Sequence, residues 1–95
     1  MAETIDEITI RYEDEEGREI VKEIDKAVLT RGSWTTIMFL YQEMDRKTGE
    51  YGPQKVSIRR YQKRGGVFRQ QSKFNISNEK QAKKIIDVLS KWFEA

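Results

Sequence analysis

Basic and hydrogen-bonding side chains alternate with apolar ones between Lys55 and Ile76. This span holds seven lysines and arginines and no acid. Side chains alternate between the two surfaces of a sheet with period two, so such a pattern sorts them by face. One face would then carry cations, amides and aromatic rings. Cations neutralise phosphates and rings stack on unpaired bases, so the pattern favours nucleic-acid binding.

Gly65-Gly66 divides this span into the two strands of a predicted hairpin. The alternation assigns one set of side chains to the core: Val56, Ile58, Phe68, Ser72, Phe74 and Ile76. It assigns the other set to a surface that we call the basic plate: Lys55, Ser57, Arg59, Tyr61, Lys63, Arg69, Gln71, Lys73 and Asn75. Arg60 and Arg64 are expected nearby. A face that only confers solubility is the alternative, but such a face usually mixes charge signs, because like charges across strands repel.

The strongest hydrophobic run, from Trp34 to Met44, predicts a further strand. Met38 and Leu40 are assigned to the core, which places Phe39 and Tyr41 with Ile37 on the side of the basic plate. Period alone also allows the reverse assignment. Phe39, Tyr41 and Tyr61 are candidate stacking surfaces, with packing at a dimer seam or on the flank of the sheet as the alternative. For Trp34, burial and stacking at the edge of the sheet both remain open.

Two more strands are predicted nearer the N-terminus. Ile8, Ile10 and Tyr12 alternate with polar residues and indicate the first. The span 19–29 fits both strand and helix spacing, and its β-branched apolar residues favour a strand. A polar loop is expected over 45–54. These elements define one domain over 1–95, with an acidic N-terminal strand or extension at 1–17 and the sheet at 18–76.

A helix is predicted over 78–94. Asn78 is the expected N-cap, with Gln81 completing a capping box, and Ser77 is the alternative cap. The apolar residues of the helix fall on one stripe, which must pack within the subunit or against a second copy. We expect a homodimer, in which the stripe supplies the contact residues Ile85, Leu89, Trp92 and Phe93. A twofold axis would set two basic plates side by side.

The composition of the chain limits the classes of function that we expect. The net charge of +2 conceals a split: residues 1–26 hold ten acids and four bases, and residues 27–95 hold six acids and fourteen bases. A polyanionic partner for the basic part is a natural expectation. The sequence has no histidine or cysteine and no nucleotide-binding motif, so we expect no enzyme, no metal and no cofactor. We expect no small-molecule substrate and no membrane partner, and the lack of cysteine fits the cytoplasm.

Residues 56–61 (Val-Ser-Ile-Arg-Arg-Tyr) and 73–79 (Lys-Phe-Asn-Ile-Ser-Asn-Glu), which lead into the helix, resemble the C-terminal domain of the transcriptional coactivator positive cofactor four. The similarity covers roughly residues 20–93. It implies a β-β-β-β-α unit that dimerises through its helices and binds single-stranded DNA with little sequence preference. By position, Arg59 and Tyr61 match the binding-strand arginine and aromatic residue of that family, and Arg69 and Lys73 match the basic residues of its last strand. The acidic segment at about 3–17 has no counterpart.

The sequence therefore predicts an α+β fold, an antiparallel meander of four to five strands followed by one α-helix, that binds single-stranded DNA as a homodimer. RNA is a second candidate, because stacking and phosphate contacts serve both nucleic acids. A transcription-cofactor role is implied by the resemblance. The rival hypothesis is a protein-interaction module whose basic plate docks an acidic partner.

Overall fold

The computed structural model describes residues 2–94. A short 3₁₀ turn at Ile5–Glu7 is followed by five strands and one helix. The elements are β1 (Tyr12–Glu13), β2 (Glu19–Thr30), β3 (Trp34–Glu43), β4 (Lys55–Arg64), β5 (Val67–Ile76) and α1 (Glu79–Phe93). The strands form one antiparallel sheet in the order β1-β2-β3-β4-β5. The α+β class and the meander are confirmed, and the ambiguous span 19–29 is a strand.

The sheet has two unlike faces, and the prediction of which one is the core was wrong. We call one the covered face; it carries Ile37, Phe39, Ser57 and Tyr61, which lie opposite one another or alternate along β3 and β4. Ile37 and Phe39 are fully buried there. The other, the open face, carries Met38, Leu40, Val56, Ile58, Phe74 and Ile76. Of these six, Ile76 is buried, as predicted, and the other five are not. The reverse assignment, which the spacing of β3 also allowed, is the observed one.

The covered face of the sheet packs against the segment that was predicted to be the first strand. Only Tyr12 and Glu13 pair with β2, so the prediction of a strand over residues 8–12 was wrong for Ile8 and Ile10. Both isoleucines are nevertheless buried, in one cluster with Phe39 and Tyr61. Ile8 and Ile10 alternate with polar residues because this segment packs on the sheet and buries every second side chain. Such burial needs a surface on one side of the segment, but it does not need a paired strand.

A β-bulge in β5 changes the faces of its first half. Arg60 lies opposite Ser72, but Tyr61 lies opposite Gln70, so Gln71 is the extra residue. One inserted residue exchanges the faces of everything on one side of it. For this reason Phe68 and Arg69 do not share faces with the residues that the sequence period grouped them with. Because the core face was also reversed, Phe68 nevertheless packs against the core, as predicted.

Helix α1 begins as predicted and then lies largely in solvent. Asn78 Oδ1 accepts a hydrogen bond from Gln81 N at 2.8 Å, which confirms the cap. Gln81 Oε1 accepts from Ser77 N, one residue before the position that a capping box uses. Over its whole described length, Glu79–Phe93, α1 has no buried residue. Its first turn lies beside Leu40 and Val56 on the open face.

Candidate nucleic-acid interface

The three rings predicted to stack on bases are buried, and this part of the prediction was wrong. Phe39 is fully buried, and Tyr41 and Tyr61 are nearly so. They pack against Ile8 and Ile10 of residues 2–10, which we call the N-terminal segment. An aromatic ring with no accessible face cannot stack on a base, so these three rings serve the core.

Hydrogen bonds fasten the N-terminal segment to the sheet. Lys26 Nζ donates to the carbonyl oxygens of Ile5 and Ile8, both at 2.7 Å. Phe68 N donates to the carbonyl oxygen of Ala2 at 2.9 Å. Glu23 accepts hydrogen bonds from Ile10 N and from the Thr9 hydroxyl, at 3.3 and 2.8 Å. The covered face is thereby closed over β2, β3 and half of β4.

The burial of Tyr61 changes the pKa of its phenol. Removal from water raises the pKa of the Tyr61 phenol above its ordinary value, because a buried phenolate is poorly solvated. The neighbouring Arg59 opposes the shift by favouring the phenolate. Tyr61 is therefore a neutral core residue at physiological pH.

Arg59 lies on the covered face next to Tyr61 and is partly buried. A network of hydrogen-bonded side chains holds it in place. Its Nε donates to the Ser57 hydroxyl and its Nη1 to Gln70 Oε1, both at 3.1 Å. The Ser57 hydroxyl in turn donates to Asn75 Oδ1 at 2.7 Å. Lys73 lies directly opposite Arg59 on β5 and is exposed. Two of the predicted binding cations are thus adjacent, as the register requires.

The remaining cations of the predicted basic plate are in different settings. Lys55 Nζ lies 3.0 Å from Glu43 Oε1, and this ion pair partly neutralises it. Lys63 is exposed, with its ammonium 5.4 Å from the centre of the Phe68 ring. A cleft beside it is lined by Glu3 and Asp6 of the N-terminal segment as well as by Arg31. Arg69 lies on the open face, so the basic plate as predicted does not form one surface.

A second group of basic side chains, Arg60, Arg64 and Arg69, lies on the open face with Trp34. The Arg60 guanidinium carbon is 4.4 Å from the centre of the Trp34 ring. Arg64 Nε donates to Gln62 Oε1 at 2.9 Å. Arg69 pairs with Gln62, which pairs with Trp34. Arg60, Gln62 and Arg64 alternate in step with Val56 and Ile58, so the sequence period already places them on one face. They were not predicted as a binding group with Trp34, because that face was expected to be the core.

Charge is distributed unevenly across the sheet. Among residues 2–94, only Lys55 of the seven cations on β4 and β5 has a carboxylate within ion-pairing distance. The run Glu13–Glu16 lies at the β1 edge, where Arg11 and Arg18 form ion pairs with neighbouring acids. Because the strand order follows the sequence, the acidic and basic parts of the chain occupy opposite edges.

No family model, curated protein or solved structure matches the chain. Within residues 2–94, no helix has the length and apolar character needed to cross a membrane.

Proposed function

We propose that this chain is a cytoplasmic, non-enzymatic protein that binds single-stranded nucleic acid, DNA in the first instance, through the β4–β5 hairpin. One observation carries the proposal. Six cations of the hairpin surround one edge of the sheet without a carboxylate partner in the described part of the chain: Arg59, Arg60, Lys63, Arg64, Arg69 and Lys73. The sequence resemblance to the coactivator family supports a transcription-cofactor role.

Physical chemistry favours a polyanion as the partner of this edge. Like charges on neighbouring strands repel, as Arg59 and Lys73 do here, and nearby acids would relieve that repulsion. Phosphates of a bound strand would relieve it instead, with release of counterions. An unpaired strand is favoured over a duplex because α1 has an apolar stripe and is not a basic helix suited to a groove.

We also propose that the binding form is a homodimer joined through α1 and the apolar part of the open face, which carries Met38, Leu40, Val56, Ile58 and Phe74. Phe74 is 59% exposed, and Trp92 and Phe93 are 71% and 75% exposed. The chain exposes 7062 Å², whereas a compact monomer of 11.3 kDa exposes about 5,700 Å². The excess of about 1,300 Å² exceeds the roughly 800 Å² that each partner buries in a standard interface.

The salt dependence of binding tests the nucleic-acid proposal. Fluorescence anisotropy of a labelled dT oligomer, titrated at several salt concentrations, should give a log–log slope of about −3 to −4, as expected for four to six phosphate contacts. Arg69→Ala with Lys73→Ala should weaken binding and flatten the slope by about 1.4. Lys80→Ala with Lys84→Ala is the matched control, because it removes equal charge from exposed positions on α1.

Two results would overturn the proposal. One is no binding of the dT oligomer at low salt. The other is an equal effect of the hairpin and helix variants, which would show that net charge alone attracts the strand. If a duplex competitor displaces the oligomer at equal concentration, the site binds double-stranded nucleic acid and the preference for a single strand is wrong.

A protein-interaction module for an acidic partner is the second candidate, and one observation favours it. β5 is the last strand of the sheet, so its outer edge has no paired strand among residues 2–94. An extended acidic peptide could add to such an edge through backbone hydrogen bonds. Displacement of the dT oligomer by poly-glutamate, at matched charge, would favour this candidate.

A further inference from the structure

Trp34 begins β3, at the opposite end of the open face from Leu40, beside which the first turn of α1 lies. It lies opposite Gln62, which lies opposite Arg69, so the three form a row across β3, β4 and β5. Met38, in the apolar part of the open face, is four residues further along β3, about 13 Å away. The indole therefore lies beyond the apolar area that we assign to the dimer.

The indole is both held in place and accessible. The Arg60 guanidinium lies 4.4 Å from the centre of its ring, within the range of a cation–π contact. Trp34 nevertheless remains 40% exposed. A ring that is fixed in orientation but open to solvent loses little freedom when a second flat group stacks on it.

The side chains around the indole are arginines. Arg60 contacts the ring, Arg64 is anchored by its hydrogen bond to Gln62, and Arg69 extends from the neighbouring strand. Within residues 2–94 none of these three forms an ion pair. A guanidinium can bind a phosphate through two parallel hydrogen bonds, which a lysine cannot do.

We infer that these residues, the Trp34 cluster (Trp34, Arg60, Gln62, Arg64 and Arg69), bind one unpaired base of a single strand. The base stacks on the indole of Trp34, and Arg64 and Arg69 pair with the phosphates on either side. The inference rests on the proposed function and goes further, because it locates stacking on the open face after Phe39, Tyr41 and Tyr61 are found buried.

Two oligomers of equal length separate stacking from charge. One is a dT strand, and the other is an abasic strand with the same phosphates and no bases. Trp34→Ala should weaken binding of the dT strand by about five- to 150-fold, the range for loss of one stacked ring. It should leave abasic binding and the salt slope unchanged. Trp34→Phe, which keeps a ring, should retain most of the dT preference.

Tyr12→Ala is the matched control, because Tyr12 is also an exposed ring but lies on β1, at the other edge of the sheet from the cluster and outside the proposed dimer interface. The ratio of dT to abasic affinity should not change in this variant. A second readout leaves Trp34 intact: in Trp92→Phe, Trp34 is the only tryptophan, and its fluorescence should be quenched by the dT strand and not by the abasic one.

The outcomes separate this inference from the proposed function. If the parent binds the dT strand with the expected salt slope, but Trp34→Ala keeps the same dT to abasic ratio, the stacking site is wrong and phosphate binding stands. Absence of Trp34 quenching by a bound dT strand would lead to the same conclusion. If the parent binds neither strand at low salt, the proposed function fails, and the Trp34 cluster fails with it.

Discussion

Tyr61 illustrates what alternation reveals about a single residue and what it does not. The period of β4 placed Tyr61 on one face with Arg59, and the structure confirms that grouping. Whether that face meets water depends on what lies above it. Ile8 and Ile10 lie above it, from a segment about fifty residues earlier in the chain. The spacing of residues within β4 cannot predict a contact with such a distant segment.

The raised pKa of Tyr61 makes its burial measurable. The difference in alkaline absorbance titration at 295 nm between the parent and Tyr61→Phe should show a phenol that ionises above pH 10. Tyr12→Phe is the control, because Tyr12 is exposed and its removal should leave the delayed transition in place. A Tyr61 transition at or below pH 10 would contradict the burial.

The same shift sets a direction for stability. Above pH 10 the unfolded chain ionises Tyr61 while the folded chain keeps the proton, so the unfolded state binds fewer protons and the free energy of unfolding falls. Below pH 10 the phenol is neutral in both states and contributes no slope. Denaturant unfolding should therefore show a smaller loss of stability between pH 9 and pH 11 in Tyr61→Phe than in the parent.

At the scale of elements, sequence pattern located most of the regular structure. Glycine punctuation and alternation placed β3, β4, β5 and α1 within a residue or two of their observed bounds. The bulge at Gln71 was not visible, because an inserted residue is polar and the strand on either side keeps its alternation. The consequence was large, since it exchanged the faces of Phe68 and Arg69 and divided the predicted binding site between two faces.

Lys26 makes two of the hydrogen bonds that hold the N-terminal segment on the sheet. Lys26→Met keeps an apolar stem but removes the ammonium that satisfies the carbonyl oxygens of Ile5 and Ile8. Leaving such acceptors unpaired should destabilise the segment by about 1–3 kcal/mol. Hydrogen exchange should accelerate at the amides of Ile8 and Phe68, which donate to Ile5 and Ala2.

Lys22→Met is the control on the same strand. Lys22 Nζ lies 5.3 Å from the Tyr51 ring, away from the N-terminal segment. Its substitution should leave exchange at Ile8 and Phe68 unchanged. Equal exchange in the parent and in Lys26→Met would show that the apolar contacts of Ile8 and Ile10 hold the segment without the lysine.

At the scale of the whole molecule, the single chain is less compact than an average domain of its length. Its extents are 46 × 39 × 17 Å, and its radius of gyration is 15.1 Å, against about 12 Å for a compact domain of this length. The helix stripe read from the sequence is real, but within one chain it contacts little. Sequence pattern predicts the amphipathicity of an element, but it does not predict what the apolar stripe contacts.

The dimer proposal leads to a concentration-dependent stability. Light scattering after size exclusion should give twice the chain mass of 11.3 kDa, and each tenfold rise in protein concentration should add about 1.4 kcal/mol to the free energy of unfolding.

Trp92→Ala with Phe93→Ala should give an 11.3 kDa species whose unfolding midpoint no longer depends on concentration. Lys91→Ala, an exposed change on the same turn, should behave as the parent. A parent that stays monomeric at about 100 μM, with a constant midpoint, would contradict the dimer proposal.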